Sequence, residues 1–153
     1  MLSYSIPQFD SFDIHATLFT DVENMKALLA QVAVLPFAMI DASTILSLEQ
    51  LFCAVYKALI ESKYNRLRTK NLNSECILSL SPTSNIAEAF RRFGIKEDTK
   101  NIVCLMVVEK SEQNVLEGVF KEQIEGREEE LSDENLKATV SWDAIKKVSE
   151  NNL

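Results

Sequence analysis

The sequence predicts a single compact domain of the α/β class, in its α+β form, with helices packed on a mixed β-sheet. Short apolar runs of strand character alternate along the chain with segments in which apolar residues recur at helical spacing. The length of 153 residues is typical of one domain with a proper core. Three glycines and three prolines leave little room for linkers, so we expect one domain over residues 1–153.

The N-terminal segment predicts two strands and a helix. YSIPQF, residues 4–9, is typical of a short strand, and its proline favours the edge of a sheet. DIHATLF, residues 13–19, alternates apolar and polar residues and places His15 on the polar face. Asp21 is the expected cap of a helix that continues to about Val34, with apolar residues at helical spacing.

A buried strand and a long helix follow. FAMID, residues 37–41, is an apolar run that predicts the strand. Ser47 and Gln50 have the spacing of a capping box, although a helix start near Ser43 is an alternative. The helix is expected to run to about Tyr64. Its predicted apolar face consists of Leu48, Leu51, Phe52, Val55 and Leu59.

The central segment predicts a strand that is followed at once by a helix. RTKNLNSE, residues 68–75, is a polar connector, and CILSLS, residues 76–81, is predicted to be a strand rich in isoleucine and leucine. Asn85 and Glu88 have capping-box spacing, and Gly94 is expected to end the helix in the left-handed conformation. The apolar positions of this helix are Ile86, Ala89, Phe90 and Phe93.

The C-terminal third predicts one more strand and two or three helices. NIVCLMVVE, residues 101–109, suits a buried strand, and residues 115–124 have helical character. GREEEL, residues 126–131, is a turn with or without a short strand, and residues 132–150 supply one or two helices. The available caps for the first of these are Ser132 and Asp133.

The charge is unevenly distributed. The chain carries a net charge of −7, which by itself argues against nucleic-acid binding. Residues 57–100, however, contain nine lysines or arginines against five acidic residues. Within them KYNRLRTK, residues 63–70, contains four basic residues and no acid. This basic segment is compatible with binding of a nucleic acid, despite the negative net charge.

The sequence lacks the characteristic motifs of several classes of protein. The N-terminus does not resemble a secretory signal, and no apolar run approaches the roughly 20 residues of a membrane span. Glycine-rich phosphate loops and the G-x-S-x-G elbow of hydrolases are absent. One histidine and three dispersed cysteines do not form a zinc ligand set or a nucleophile with its base. We therefore expect no catalytic residue, no metal and no cofactor.

The three cysteines are expected to be buried and inert. Cys53, Cys76 and Cys104 each lie in an apolar run, and free cysteine is among the most buried residue types. An odd number of cysteines without a secretory signal fits a reducing compartment.

The stretch LSLSPTSNIAEAFRRFGI, residues 78–95, has two interpretations. Short hydroxyl and amide side chains before a helix are ordinary caps, and the residues alone favour this interpretation. The same side chains beside the free N–H groups of a helix N-terminus also suit an anion, with Arg91 and Arg92 on the side of the helix.

A resemblance changes this balance. ALIESKYNRLRTKNLNSE at residues 58–75 and LSPTSNIAEAFRRFGI at residues 80–95, with EGREEEL and AIKKV further on, resemble the PRPK-binding-protein family. Members of that family are the small kinase-binding subunit of the KEOPS, or EKC, complex, and the similarity is strongest to fungal members. It extends over roughly residues 4–148. Relatives continue beyond this point into an apolar C-terminal helix, which we expect this domain to lack.

The resemblance implies a compact α/β subunit without catalytic activity of its own, monomeric when alone. The family binds the N-lobe of a kinase-like ATPase, which in turn binds the threonylcarbamoyl transferase. The complex adds threonylcarbamoyl to the adenosine next to the anticodon of tRNAs that read codons beginning with A. The small subunit acts as an allosteric effector and captures the single-stranded CCA tail of tRNA. Fungal members are linked to telomere maintenance and transcription, so the expected location is the nucleus, including telomeric chromosome regions, with the cytoplasm as a second compartment.

This role directs attention to the basic segment and to the start of the helix at residue 86, because single-stranded RNA is recognised by cations and by side chains that sandwich bases. The resulting tRNA-binding candidates are Lys63, Arg66, Arg68, Lys70, Asn71, Ser81, Asn85, Ile86 and Arg91. The sequence does not indicate which residues contact the kinase-like subunit. A free-standing single-stranded RNA-binding module and a small enzyme are the two alternatives, and no residue argues for the enzyme.

Overall fold

The computed structural model describes residues 1–115 and 118–150, without the side chains of residues 113–115 and 147–150. Its strands are β1 (Leu2–Tyr4), β2 (Phe12–Thr20), β3 (Ala38–Asp41), β4 (Ile102–Glu109) and β5 (Arg127–Glu129). Its α-helices are α1 (Met25–Gln31), α2 (Leu48–Lys63), α3 (Leu72–Leu80), α4 (Ile86–Phe93), α5 (Val119–Gln123), α6 (Asp133–Thr139) and α7 (Trp142–Glu150). Short 3₁₀ helices lie at Pro7–Phe9, Ala42–Thr44 and Lys110–Val115.

The five strands form one sheet in the order β1-β2-β4-β3, and β5 pairs with β2 beyond the end of β1. The central pair is β2 with β4, in a register that runs from Phe12 opposite Glu109 to Phe19 opposite Ile102. The α+β class is confirmed. The expectation of a mixed sheet is wrong, because every strand pair in the described residues is antiparallel.

The sheet is covered on both faces, which explains why its central strand is an unbroken apolar run. Val103 and Leu105 of β4 pack in a core cluster with residues of α2, α3, α4 and α6. Their neighbours Cys104 and Met106 point to the opposite face, where a second cluster contains residues of α1 and α5. Alternating side chains of one strand therefore enter two separate cores, as expected for a strand buried on both sides.

The largest correction concerns residues 76–81. The predicted strand CILSLS is most of α3, and the polar connector before it contains the start of that helix. Asn71 caps the helix, with its side-chain oxygen accepting a hydrogen bond from the Ser74 amide at 2.9 Å. Five consecutive residues, 75–79, are buried in α3. Burial on all sides removes the apolar periodicity that distinguishes a helix from a buried strand.

Smaller corrections affect the first third of the chain. The first strand covers residues 2–4, and Pro7 begins a 3₁₀ helix instead of lying in a strand. Asp21 does not cap α1, because its φ of 53° places it in the left-handed region four residues before the helix begins. The helix also ends at residue 31, before Val34.

The remaining elements follow the sequence closely. β2, β3, α2, α4 and β4 are confirmed, and Ser132 caps the first of two C-terminal helices. Residues 119–123 of the predicted helix 115–124 are helical, whereas residues 116–117 lie outside the described residues. Gly94 ends α4 as predicted but is extended, with φ −73° and ψ 167°.

Candidate functional site

A groove of about 570 Å³ lies where the loop after α1, strand β3, the N-terminal half of α3 and one side of α4 meet. The amide of Asn73 helps to build it, since its side-chain nitrogen donates to the Pro36 carbonyl at 3.2 Å while its oxygen accepts from the Val107 amide at 2.9 Å. One side chain thus ties the start of α3 both to the loop and to the central strand. The groove is therefore held by the core of the fold.

Apolar side chains form the floor of this groove. Phe37, Met39 and Ile77 come up from the core, and Phe90 lines the α4 side. Phe37 is fixed from below by an edge-to-face contact with Phe120, at 5.0 Å between ring centroids. The sequence pattern marked these residues only as core, and their convergence on one groove depends on tertiary packing.

The rim is polar and carries cations. Arg68, Thr69, Lys70 and Asn71 line one side of the groove on the loop that leads into α3. Ile86, at the first turn of α4, also lines the groove and is 41% exposed. Four of the nine sequence candidates therefore line one groove: Arg68, Lys70, Asn71 and Ile86.

The rim cations differ in their surroundings. Arg68 lies with its Nε 3.5 Å from a carboxylate oxygen of the buried Glu75, which neutralises part of its charge. Lys70 is exposed and makes no ion pair with any described residue. Lys70 is thus the rim cation whose charge is most available to a ligand.

Two further candidates, Lys63 and Arg66, do not line the groove. Both surround the ring of Tyr64, which is 60% exposed, with Lys63 Nζ 5.9 Å and the Arg66 guanidinium carbon 5.1 Å from the ring centroid. Arg66 also pairs with Glu61 at 3.2 Å. These residues form a cationic and aromatic surface where α2 ends and the connector to α3 begins.

Ser81 and Asn85 have local capping roles. The Ser81 hydroxyl lies 3.3 Å from that of Thr83 at the end of α3. The side-chain oxygen of Asn85 accepts a hydrogen bond from the Glu88 amide at 3.0 Å, as an N-cap does. At the N-terminus of α4 the geometry therefore matches the capping interpretation.

Arg91 faces away from the groove. It forms a two-pronged ion pair with Glu88, whose shortest contact is 2.6 Å, and lines a separate polar cavity of about 660 Å³ beside Asp41 and Lys96. Arg92 also bonds Glu88. Hydrogen bonds from these two arginines lower the pKa of the Glu88 carboxyl below its ordinary value. The two arginines thus interact first with an acidic neighbour in their own helix.

The cysteines divide into two groups. Cys76 and Cys104 are buried, and burial raises the pKa of Cys76 to about 12 and that of Cys104 well above its ordinary value. Cys53 is exposed on α2, so the expectation of burial is wrong for this residue. The sequence places it beside the apolar positions of α2, but the helix turns its side chain outward.

The described residues lack both metal-binding and membrane-spanning features. Among the residues that the structure describes, no group of three or more His, Cys, Asp or Glu side chains could hold a metal ion. No described helix combines the length and apolar character that a bilayer crossing requires.

The groove has the chemistry of a site for an unstacked nucleotide. Apolar and aromatic side chains at its floor can contact the face of a base, while Arg68, Lys70 and the Asn71 amide at its rim can contact phosphate and base edges. A wholly apolar ligand would leave Lys70, which makes no ion pair with any described residue, without a partner.

Comparison with known proteins assigns the chain to a family. The sequence model of a family described as kinase binding protein CGI-121 matches residues 19–150. The chain is 43% identical over 148 residues to an EKC/KEOPS complex subunit CGI121 of Kluyveromyces lactis, covering 97% of this chain and 93% of that protein. Subunits of the same name from Candida glabrata and Schizosaccharomyces pombe are 45% and 34% identical, over 87% and 93% of this chain and 75% and 84% of their own lengths. The chain therefore belongs to the CGI-121 family of kinase-binding proteins.

Proposed function

We propose that this protein is a non-catalytic subunit of an EKC/KEOPS complex that binds the kinase-like ATPase subunit and holds the single-stranded CCA tail of tRNA. The observation that supports the tRNA role most directly is the groove in which Arg68, Lys70 and Asn71 face an apolar floor. The complex would use the captured tRNA as substrate for adding threonylcarbamoyl to the adenosine next to the anticodon.

The kinase-binding part of the proposal rests on the family. The matching family is described by kinase binding, and relatives in three yeasts are named as subunits of the EKC/KEOPS complex. In this proposal the chain has no activity of its own and acts as an allosteric effector of the ATPase. The family resemblance alone supports the remaining parts of the proposal. These are a nuclear location that includes telomeric chromosome regions, a cytoplasmic pool, and links to telomere maintenance and transcription.

The groove suits the tail of tRNA better than a duplex. A double helix offers no free base face, whereas a single-stranded end can place an unstacked base against apolar side chains. The half-buried Phe90 and the exposed Ile86 in the groove lining offer such a surface, and the cations Arg68 and Lys70 of the same lining would contact a phosphate of the same strand.

Binding of single-stranded RNA at several salt concentrations tests the groove. We expect the double substitution Arg68→Ala and Lys70→Ala to weaken binding of an RNA that ends in CCA. Each lost phosphate contact should also flatten the slope of log affinity against log salt by about 0.7, so the pair should change it by about 1.4. If the double variant has the same slope as the wild-type chain, the assignment of Arg68 and Lys70 to phosphate contacts is wrong.

A matched control removes the same charge elsewhere. Lys57 and Lys137 are exposed on α2 and α6 and do not line the groove. Replacing both with alanine lowers the net charge by the same amount, so a general electrostatic attraction would weaken binding equally in both double variants. A site-specific contact would leave the Lys57 and Lys137 variant close to wild type.

Partner binding distinguishes a complex subunit from a free-standing RNA-binding module, which is the second candidate function that the same groove supports. We expect the chain to be monomeric alone and to elute as a one-to-one complex with the kinase-like subunit, while binding tRNA only weakly by itself. Failure of the two folded proteins to co-elute at micromolar concentration, together with tight RNA binding by the isolated chain, would favour the free-standing module.

A further inference from the structure

Glu75 is a buried carboxylate that holds the loop on which the rim cations lie. Its side chain is 0% exposed, although it lies only one turn into α3. One carboxylate oxygen accepts three hydrogen bonds: from the Arg68 amide at 2.9 Å, the Thr69 amide at 3.1 Å and the Thr69 hydroxyl at 2.9 Å. Three donors from two adjacent loop residues therefore converge on one oxygen.

The second carboxylate oxygen faces the guanidinium of Arg68. It lies 3.5 Å from Arg68 Nε and has no hydrogen-bond partner among the described residues although it is buried. A buried carboxylate with an incompletely satisfied oxygen is costly in a folded protein. An apolar residue of similar volume would avoid that cost, so the stability of α3 alone does not account for Glu75.

The contacts between Glu75 and the loop explain why a carboxylate is buried at this position. Residues 64–71 connect α2 to α3, and the loop 66–70 within this connector contains the rim cations Arg68 and Lys70. A connector of this kind samples many conformations unless its backbone N–H groups are held. Glu75 holds two consecutive amides and places a charge behind the Arg68 side chain, so the loop presents its cations to the groove before any ligand arrives.

We propose that Glu75 is a positioning residue for RNA binding, which acts through the loop 66–70 and touches no ligand itself. This inference rests on the proposed function of the groove. It also makes a prediction opposite in sign to simple electrostatics. Removal of a negative charge near a phosphate site should strengthen RNA binding if charge alone matters. Loss of a preorganised loop should weaken it.

The test compares Glu75→Gln and Glu75→Leu with Glu61→Gln. Glutamine keeps one oxygen for the loop amides but turns a donor toward Arg68, whereas leucine fills the volume and accepts nothing. Glu61 pairs with Arg66 in the same basic region, and its side chain accepts no backbone amide among the described residues. The Arg66 amide donates to the backbone carbonyl of Glu61, which Glu61→Gln keeps, so this substitution removes an equal charge without releasing the loop. If Glu75→Leu fails to fold, Glu75→Gln still decides the question.

We would measure binding of a short single-stranded RNA ending in CCA, with the kinase-like subunit present, together with hydrogen exchange of the Arg68 and Thr69 amides. Glu75→Gln should weaken RNA binding about threefold and Glu75→Leu about tenfold, because the loop and its long side chains must be ordered on binding. Both variants should speed exchange at the two amides. Glu61→Gln should bind RNA as well as wild type or better.

A double substitution separates positioning from a general loss of structure. If Glu75 acts through Arg68, Glu75→Gln should weaken RNA binding less in an Arg68→Ala background than in the wild-type chain. Binding of the kinase-like subunit should be unaltered in all variants. Equal or tighter RNA binding by both Glu75 variants, or unchanged amide exchange, would overturn the inference. A wild-type chain that binds no RNA would instead refute the proposed function, while the exchange rates still report whether Glu75 holds the loop.

Discussion

Gly94 ends α4 at a point where a side chain has no room. Its N–H donates to the Phe90 carbonyl at 3.0 Å, and its backbone forms an isolated antiparallel bridge with Ile40 of β3. A β-carbon at this position would lie 2.6 Å from the Phe90 carbonyl oxygen. Since that oxygen belongs to the backbone of the same helix, the helix end must shift to accept any larger residue.

The expected cost follows from this contact. The φ of −73° is available to every residue, so the penalty arises from the clash and not from backbone strain. Forcing an extra methyl into a packed site typically costs about 1–3 kcal/mol. For a chain of this size each kcal/mol lowers Tm by about 2–4 °C, so we expect Gly94→Ala to reduce Tm by about 2–12 °C and Gly94→Val by at least as much.

Thermal unfolding followed by circular dichroism measures the effect, with urea unfolding as a second measurement of stability. Gly118 provides a contrasting control, because its φ is 84° and, within the part of the chain that the structure describes, its added β-carbon would meet only the Glu122 side-chain oxygen, at 3.7 Å. Asparagine tolerates the left-handed region, so Gly118→Asn should cost less than Gly118→Ala. Gly94→Asn should be as costly as Gly94→Ala. An unchanged Tm for Gly94→Ala would refute the steric argument.

Two further predictions concern ionisable groups. In a carbon-detected NMR titration the pKa of the Glu88 carboxyl should lie below its ordinary range, and it should return toward that range in Arg91→Ala. Because the fold lowers this pKa, the stabilising interactions of Glu88 are complete above the ordinary carboxyl range and are lost as the pH falls through the lowered value. With a thiol reagent at pH 8, Cys53 should be modified in the native protein, whereas Cys76 and Cys104 should react only after unfolding. More than one adduct on the folded chain in mass spectrometry would contradict this prediction.

Parts of the fold that depend on local patterns were predictable from the sequence. The alternation in β2 and the apolar run of β4 gave correct strands, and Ser47, Asn85 and Ser132 cap helices as their side chains suggest. Each of these signals lies within a few residues of the structure that it specifies. Clustered charge in the sequence also made Arg68 and Lys70 candidates, and both line the groove.

The features that were not predictable depend on contacts between distant segments. The buried surroundings of α3 remove its periodicity, and the signal that remains is the cap formed by Asn71 and Ser74. The groove floor combines Phe37 from before β3 with Phe90 from α4, and no local pattern brings them together. Glu75 belonged to a polar connector in the sequence, and only the packing of α3 reveals it as buried.

The antiparallel pairing of β2 with β4 has a consequence for how the chain reaches its folded state. Strand β2 is complete near residue 20, whereas its main partner, β4, ends only at residue 109. During synthesis β2 therefore has only the three-residue β1 as a pairing partner for on the order of ten seconds. The consecutive helices α2, α3 and α4 can contact one another during that time, because their contacts span short stretches of chain. The helical layer should therefore form first. The sheet should close late and at a rate limited by its longest loop, leaving the apolar residues of β2 exposed to other chains until β4 arrives.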